Sequence, residues 1–162
     1  MSRLDSFIRR LEAQRACLDL AADAIGDKPG IVLELGLGNG RTYDHLRDRL
    51  PSREIIVFER EVRAHPDCIP DAEHLVLGAI EETLPAFREC RSGEAVLVHS
   101  DIGTGDAERN RKLARWLAGM LPPVLMPGGW VVADQALDDA SLVRQTLPAG
   151  ITADRYYIYR YE

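Results

Sequence analysis

Five short apolar segments alternate with helix-patterned segments along the chain, and this alternation constrains the fold more than any other feature. The five segments are residues 31–35, 55–58, 75–77, 95–98 and 130–133. Each is almost continuously apolar, which is typical of strands covered on both faces of a parallel sheet. Because right-handed crossovers join such strands, we predict a doubly wound α/β fold. Its sheet should be mostly parallel, with about six strands and helices on both faces.

Helical spacing marks the segments around these strands. Residues 1–26 predict a helix that packs one apolar face on the core, through Leu4, Phe7, Ile8, Leu11, Leu18, Ala21, Ala22 and Ile25. Further helices are predicted over residues 41–50, 80–90 and 106–121. Pro66 and Pro70 restrict the crossover between the second and third strands to a loop with at most one helical turn.

The residues after Asp134 predict two more elements. We expect a short helix over residues 140–147, stopped by Pro148 and Gly150, and one final strand over residues 155–161. The tyrosines of that last segment predict an edge strand with aromatic packing, or a contact with a second subunit. A homo-oligomer is therefore one expectation.

Composition narrows the class of protein. A length of 162 residues predicts one domain over residues 1–162, and the formal charge of -6 disfavours a nucleic-acid partner. No apolar run approaches the ~18 to 20 residues of a membrane span, so we expect no membrane partner. The three cysteines, Cys17, Cys68 and Cys90, follow no disulfide or zinc spacing. We therefore expect idle thiols and a cytoplasmic protein.

A glycine-rich turn follows the first predicted strand, where doubly wound folds bind ligands. The segment from Glu34 to Thr42 reads Glu-Leu-Gly-Leu-Gly-Asn-Gly-Arg-Thr. Glycine at every second position permits positive φ angles and a close approach of backbone to ligand. A dinucleotide fingerprint would need a small residue at position 41, where Arg41 stands, so the pyrophosphate interpretation is weakened. A tight turn without any ligand is the alternative.

Glu59 ends the second predicted strand, close to the ~20 residues after the first glycine at which a ribose-binding acid is expected. A carboxylate accepts hydrogen bonds from both ribose hydroxyls better than a neutral side chain does. The glycine turn and Glu59 together predict a ligand with an unphosphorylated ribose.

These residues resemble the class I methyltransferases that depend on S-adenosylmethionine (SAM), which have a Rossmann-like fold. The strand and glycine turn from Ile31 to Gly40 look like their first motif, and Glu59 looks like their ribose-binding acid. Residues 125–130, Leu-Met-Pro-Gly-Gly-Trp, resemble their Leu-x-Pro-Gly-Gly sequence before the fifth strand. The compact length and the turn from Asp101 to Gly103 are similar to a small bacterial methyltransferase family of unassigned substrate.

The resemblance implies SAM as the cofactor and a set of residues around it. The glycine turn would approach the methionine moiety, Glu59 the ribose, and the segment after the third strand the adenine. The implied cofactor residues are Glu34, Gly36, Gly38, Asn39, Gly40, Arg41, Thr42, Glu59, Arg60, Gly78, Ala79, Ile80, Ser100 and Asp101.

Candidate catalytic residues follow the fourth and fifth strands. His99 is a candidate general base because its ordinary pKa is ~6.5, and Asp101 lies beside it. Asp101, Asp134 and Gln135 resemble the magnesium ligands of small cation-dependent O-methyltransferases, although Gln135 stands where Asn is expected. The alternative, which we favour, is that no metal binds and that these carboxylates cap backbone or contact the cofactor.

The sequence therefore predicts a SAM-dependent methyltransferase that acts on a small molecule. A non-catalytic SAM-binding protein is the alternative, and an NAD-dependent oxidoreductase comes third. Because few residues remain beyond the cofactor-binding core, we expect the acceptor pocket to use the N-terminal helix, the loop of residues 101–106 or a neighbouring subunit.

The ribose assignment predicts that Glu59→Ala weakens SAM binding at least tenfold, since a buried ribose would lose both of its hydrogen bonds. Isothermal titration calorimetry measures this change, with Glu61→Ala as a matched control two residues further along the chain. An unchanged affinity in Glu59→Ala would place the ribose elsewhere.

Overall fold

The protein, described from a computed structural model that covers residues 1–162, contains four helices and seven strands. The helices are α1 Arg3–Ile25, α2 Arg41–Arg49, α3 Ile80–Cys90 and α4 Ala107–Met120. The strands are β1 Ile31–Leu35, β2 Ile55–Glu59, β3 Leu75–Leu77, β4 Ala95–Ser100, β5 Leu125–Ala133, β6 Leu142–Arg144 and β7 Tyr157–Tyr161. Two short 3-10 helices, Pro66–Cys68 and Ala72–His74, occupy the proline-containing crossover.

All seven strands form one sheet in the order β3-β2-β1-β4-β5-β7-β6. Strands β1 to β5 run parallel, and β7 pairs antiparallel with both β5 and β6. From β1 to β3, each strand is added on one side of β1. With β4 the chain returns to the other side of β1, and β5 to β7 are added beyond it. The carboxyl ends of β1 and β4 therefore border the crevice in which ligands of doubly wound folds bind.

The doubly wound α/β fold is confirmed, with seven strands rather than about six. The predicted helix over residues 140–147 is wrong, because Leu142–Arg144 forms the edge strand β6 beside β7. Three residues are too few to show a strand period, and here pairing with a neighbouring strand overrides local helical preference. The prediction of an edge strand for the tyrosines is also wrong, since β7 lies between β5 and β6.

Helices cover both faces of the sheet, as the continuously apolar strands predict. On one face, α1 and α2 pack against the strands through buried side chains that include Leu18, Ile25 and Leu46. On the other face, α3 and α4 contribute Leu84 and Leu117. None of the four helices combines the length and the apolar composition that crossing a bilayer requires.

Helix α1 packs on the core only through its second half. Ser2 caps it, accepting from the Asp5 N–H while the Asp5 carboxylate accepts from the Ser2 N–H. Its buried positions begin at Ala13, whereas Leu4 is 67% exposed and Phe7 46% exposed. The predicted packing of the first half of the apolar stripe is therefore wrong. A helix of 23 residues is roughly 35 Å long, and a six-residue strand only about 20 Å, so the first turns extend beyond the sheet.

This division of α1 predicts two different effects of truncating a leucine. Leu18→Ala should lower the free energy of unfolding by about 2 to 5 kcal/mol, because Leu18 is 1% exposed and its removal leaves a cavity. Leu4→Ala, on the same helix, should change it by no more than about 0.5 kcal/mol. Urea denaturation of both variants measures the difference, and equal losses would contradict the packing described for α1.

Candidate active site

The glycine turn between β1 and α2 lies at the crevice. Gly36 has a φ of +90°, and a Cβ there would lie 2.5 Å from Cγ2 of Ile102. Gly40 has a φ of +85°, and its Cβ would lie 2.5 Å from Cβ of Cys68. Neither position accepts a side chain, so the turn holds its backbone against the neighbouring segments as the sequence pattern indicates.

A cavity of about 420 Å³ opens beside the carboxyl ends of β1, β2 and β3. It is lined by five of the predicted cofactor residues, namely Gly36, Glu59, Arg60, Gly78 and Ile80. Ala79 follows Gly78 as the residue that precedes α3. The cavity walls also include four residues that the sequence motifs do not point to, namely Phe58, Ile102, Arg109 and Lys112. The apolar side chains of the cavity lie among charged ones that include a second carboxylate, Glu81, and such a mixed lining suits the base and the ribose of a nucleoside.

Glu59 holds the backbone around this cavity. Its Oε2 accepts from the N–H groups of Leu37 and Gly38, at 2.8 and 3.0 Å. Its Oε1 accepts from Arg60 and Glu61, at 2.7 and 3.3 Å. Burial is the largest single effect and raises the pKa of Glu59, but these four hydrogen bonds together lower that pKa below its usual value. Glu59 is therefore an ionised acceptor that links the end of β2 to the glycine turn.

A second cavity, of about 200 Å³, lies between the glycine turn and α1. Gly36 lines both cavities, so they are adjacent where β1 ends. The predicted residues that line this second cavity are Gly36, Gly38, Asn39, Arg41, Thr42 and Asp101. The opposite wall is formed by Phe7, Arg10, Leu11 and Gln14 of α1.

Helix α1 supplies partners for Asp101 that the sequence analysis missed. Arg10 Nη2 lies 2.8 Å from Asp101 Oδ1, and Gln14 Nε2 donates to Asp101 Oδ2. Arg10 and Gln14 are one helical turn apart, and Gln14 is only 8% exposed. The one sequence signal for these contacts is a glutamine on the buried side of an amphipathic helix, where a polar side chain needs a partner. Nothing in the sequence connects it with a residue so distant along the chain.

His99 lies below the site rather than in it. It is fully buried, and its Nδ1 is 2.9 Å from both carboxylate oxygens of Glu34, which also accepts from Thr42 Oγ1 at 2.6 Å. Its Nε2 lies 3.4 Å from the hydroxyl of Tyr156, and the two rings are stacked. Burial is the largest single effect and lowers the pKa of His99, but the charge and hydrogen bond of Glu34, with the charges of Asp101 and Asp134, together raise that pKa above its usual value. Neither Glu34 nor His99 lines either cavity.

Asp134 and Gln135 follow β5, and neither contacts Asp101 by a hydrogen bond. Asp134 Oδ2 accepts from the Gly103 N–H at 2.9 Å and from Gln135 Nε2 at 3.3 Å. Asp134 Oδ1 and the buried Ser100 Oγ have no hydrogen-bond partner within the protein. Burial and then the negative charge of Asp101 raise the pKa of Asp134 to about 6. No group of three His, Cys, Asp or Glu side chains is arranged to hold a metal ion.

This sheet order, with a glycine turn at the end of β1 and an acid at the end of β2, is that of a Rossmann-like protein with a nucleoside site at these strand ends. A family model described as S-adenosyl-L-methionine methyltransferase matches residues 1–161. The chain belongs to this family, and its cofactor is SAM. No curated protein sequence matches the chain.

Solved structures agree with this assignment. The chain is similar to an S-adenosyl-L-methionine methyl transferase from Silicibacter pomeroyi DSS-3, with 45% identity, a TM-score of 0.95 and coverage of 100% of this chain and 99% of that chain. It shares its fold with SAH-bound PaMTH1 of Podospora anserina (15% identity, TM-score 0.54, coverage 100% and 80%). It also shares its fold with cofactor-bound Rv0187 from MTB (17% identity, TM-score 0.56, coverage 98% and 88%).

The residues present fit SAM. The cavity beside Glu59 offers apolar side chains and carboxylates, as the adenosine part requires. The smaller cavity places Arg41 and the uncapped start of α2 beside the glycine turn, where a cation and a helix N-terminus suit the carboxylate of the methionine part. The family match and the structure with 45% identity confirm the prediction of a SAM-dependent methyltransferase, while the role of each site residue stays a prediction.

The raised pKa of Asp134 predicts a pH effect on stability. Between about pH 4 and pH 6 the folded protein keeps a proton on Asp134 that the unfolded chain releases. The free energy of unfolding should therefore fall as the pH rises from about 4 to about 6, by on the order of 1 to 3 kcal/mol. Asp134→Asn should lack that fall, and the exposed Asp138→Asn should keep it. Urea denaturation across the window measures all three proteins, and parallel curves for wild type and Asp134→Asn would contradict the assignment.

Proposed function

We propose that this methyltransferase transfers a methyl group to a small-molecule acceptor, which binds beside Asp101. The observation that carries the proposal is the enclosed position of Asp101, in the wall of the cavity of about 200 Å³ between the glycine turn and α1. The joint volume of this cavity and the adjacent one is in the range of small-molecule sites, ~300 to 1,000 Å³. A site of this size, which also has to hold the cofactor, suits a small acceptor better than a polymer.

Charge also favours a small molecule over a nucleic acid. The formal charge of the chain is -6, which repels a phosphate backbone. Arg10, the cation nearest to Asp101, is already paired with it. A cytoplasmic location and an assembly of identical chains are further proposals, based on the sequence alone.

The chemistry needs few groups from the protein. Bound SAM supplies a methyl group on a positively charged sulfur, and the electron pair of the broken carbon–sulfur bond stays on that sulfur. The chain aligns the acceptor and removes water from it, which is what an in-line displacement chiefly requires. Asp101 accepts the proton of the acceptor's hydroxyl or amine as the lone pair of that atom bonds to the methyl carbon. Arg10 and Gln14 hold the carboxylate of Asp101 in place for this transfer.

This role predicts that Asp101→Asn lowers kcat at least 100-fold, because an amide cannot accept the proton. Binding of S-adenosylhomocysteine should change by no more than about threefold. The assay measures S-adenosylhomocysteine release against a panel of small hydroxyl and amine compounds, and calorimetry measures its binding. Asp27→Asn is the matched control, because Asp27 is exposed and precedes β1, at the ends of the parallel strands that lie away from the site.

The outcomes separate the parts of this proposal. An unchanged kcat in Asp101→Asn removes the proton-accepting role. Activity on a protein or nucleic acid, with none on the small compounds, overturns the small-molecule acceptor.

A further inference from the structure

The first half of α1 presents an apolar surface beside the site. It consists of Leu4, Phe7, Ile8 and Leu11, which follow the i, i+3, i+4, i+7 spacing of one helix face. Leu4 is 67% exposed, Phe7 46% and Ile8 44%. None of the four side chains belongs to the buried core, although they are as apolar as the core-facing residues of the same helix. We call these four residues the overhanging surface.

The overhanging surface joins two cavities next to Asp101. Phe7 and Leu11 line the cavity that contains Asp101. Ile8 and Leu11 line a separate groove, of about 400 Å³, between α1 and the first turns of α2. Leu11 lines both, so the groove and the cavity that contains Asp101 adjoin at an apolar side chain.

Contacts on either side hold this part of α1 over the site. Arg155, which precedes β7, donates to Ser6 Oγ at 3.3 Å and to the Ser6 carbonyl at 3.4 Å. The guanidinium of Arg41 lies 5.8 Å from the centre of the Phe7 ring. Together with the Arg10–Asp101 pair, these contacts tie the first turns of α1 to three separate elements. The overhanging surface is thus held in a fixed position beside the site. No core lies under this half of α1, so its apolar side chains are free to contact a ligand.

We propose that the overhanging surface binds the apolar body of the methyl acceptor while the hydroxyl or amine of the acceptor reaches Asp101. This inference rests on the proposed function. It defines the acceptor class as small molecules with an alkyl or aromatic body and one nucleophilic hydroxyl or amine. Proton and electron pair move as described above, from the acceptor to Asp101 and from the broken carbon–sulfur bond to sulfur.

A second copy of the chain is the competing occupant of this surface. A stable interface involves ~20 to 30 residues on each partner, whereas the overhanging surface consists of four. The surface also ends at the largely enclosed carboxylate of Asp101, which an interface between subunits does not need. Size and continuity with the site therefore favour the acceptor.

A series of 4-alkylphenols, from methyl to butyl, tests the acceptor class. Each compound is titrated into the protein loaded with S-adenosylhomocysteine, followed by calorimetry, and each is assayed for methylation with SAM. Affinity should rise about twofold to fourfold for each added methylene, since each is partly or fully removed from water. Phenols with a terminal hydroxyl on the alkyl chain are the matched polar controls and should show no such rise.

Two variants assign the effect to the overhanging surface. In Leu4→Ser/Ile8→Ser the dependence on chain length should disappear, while S-adenosylhomocysteine affinity and thermal stability stay unchanged. Val143→Ser, an exposed valine on the edge strand β6, should keep the full dependence.

Each contrary outcome is distinct. No binding of any alkylphenol, or methylation that is indifferent to chain length, overturns this inference and leaves the proposed function standing. Failure of every small acceptor, whatever its polarity, overturns the proposed function itself. A dimer in light scattering that Leu4→Ser/Ile8→Ser converts to monomers assigns the surface to a second copy and overturns the inference.

Discussion

A buried pair between Glu34 and His99 joins β1 to β4 directly beneath the site. The two residues stand opposite each other in the register of these neighbouring strands, and both are fully buried. Removing either partner would deprive the other buried side chain of its main hydrogen-bond partner in the core, which is strongly destabilising. The pair therefore secures the two strands at the point where the sheet order reverses. Both cavities lie above that point.

The pair also connects the site to more distant parts of the chain. Glu34 receives a hydrogen bond from Thr42 at the start of α2, and the imidazole of His99 stacks on Tyr156 from the segment before β7. Asp101, two residues beyond His99, receives Arg10 and Gln14 from α1. Elements from both ends of the chain thus meet around β1 and β4. Glu34 and His99, which sequence motifs placed at the cofactor and the acceptor, support the site from below.

Much of the fold was predictable because its signals are local. Continuous apolar segments flanked by glycine or proline identified β1 to β4, and the 3.6-residue period identified α3 and α4 within one or two residues. Prediction failed where structure depends on pairing. Leu142–Arg144 becomes a strand only because β7 lies beside it, and the exposed half of α1 has the same apolar pattern as its buried half. A pattern shows that a helix is amphipathic, but it does not show whether a core lies under each turn.

By itself, the sequence determined the fold class, the glycine turn and the acid at the end of β2, since each depends on residue type and spacing within a short segment. Only the tertiary structure decided which polar residues face the cavities. It brought Arg10 and Gln14 to Asp101, buried His99 behind the cavity walls and left the overhanging surface beside the site. The contacts of Asp101 join residues about 90 positions apart. They depend on how far a 23-residue helix extends past the short strands it covers, which is a property of packed lengths and not of any local pattern.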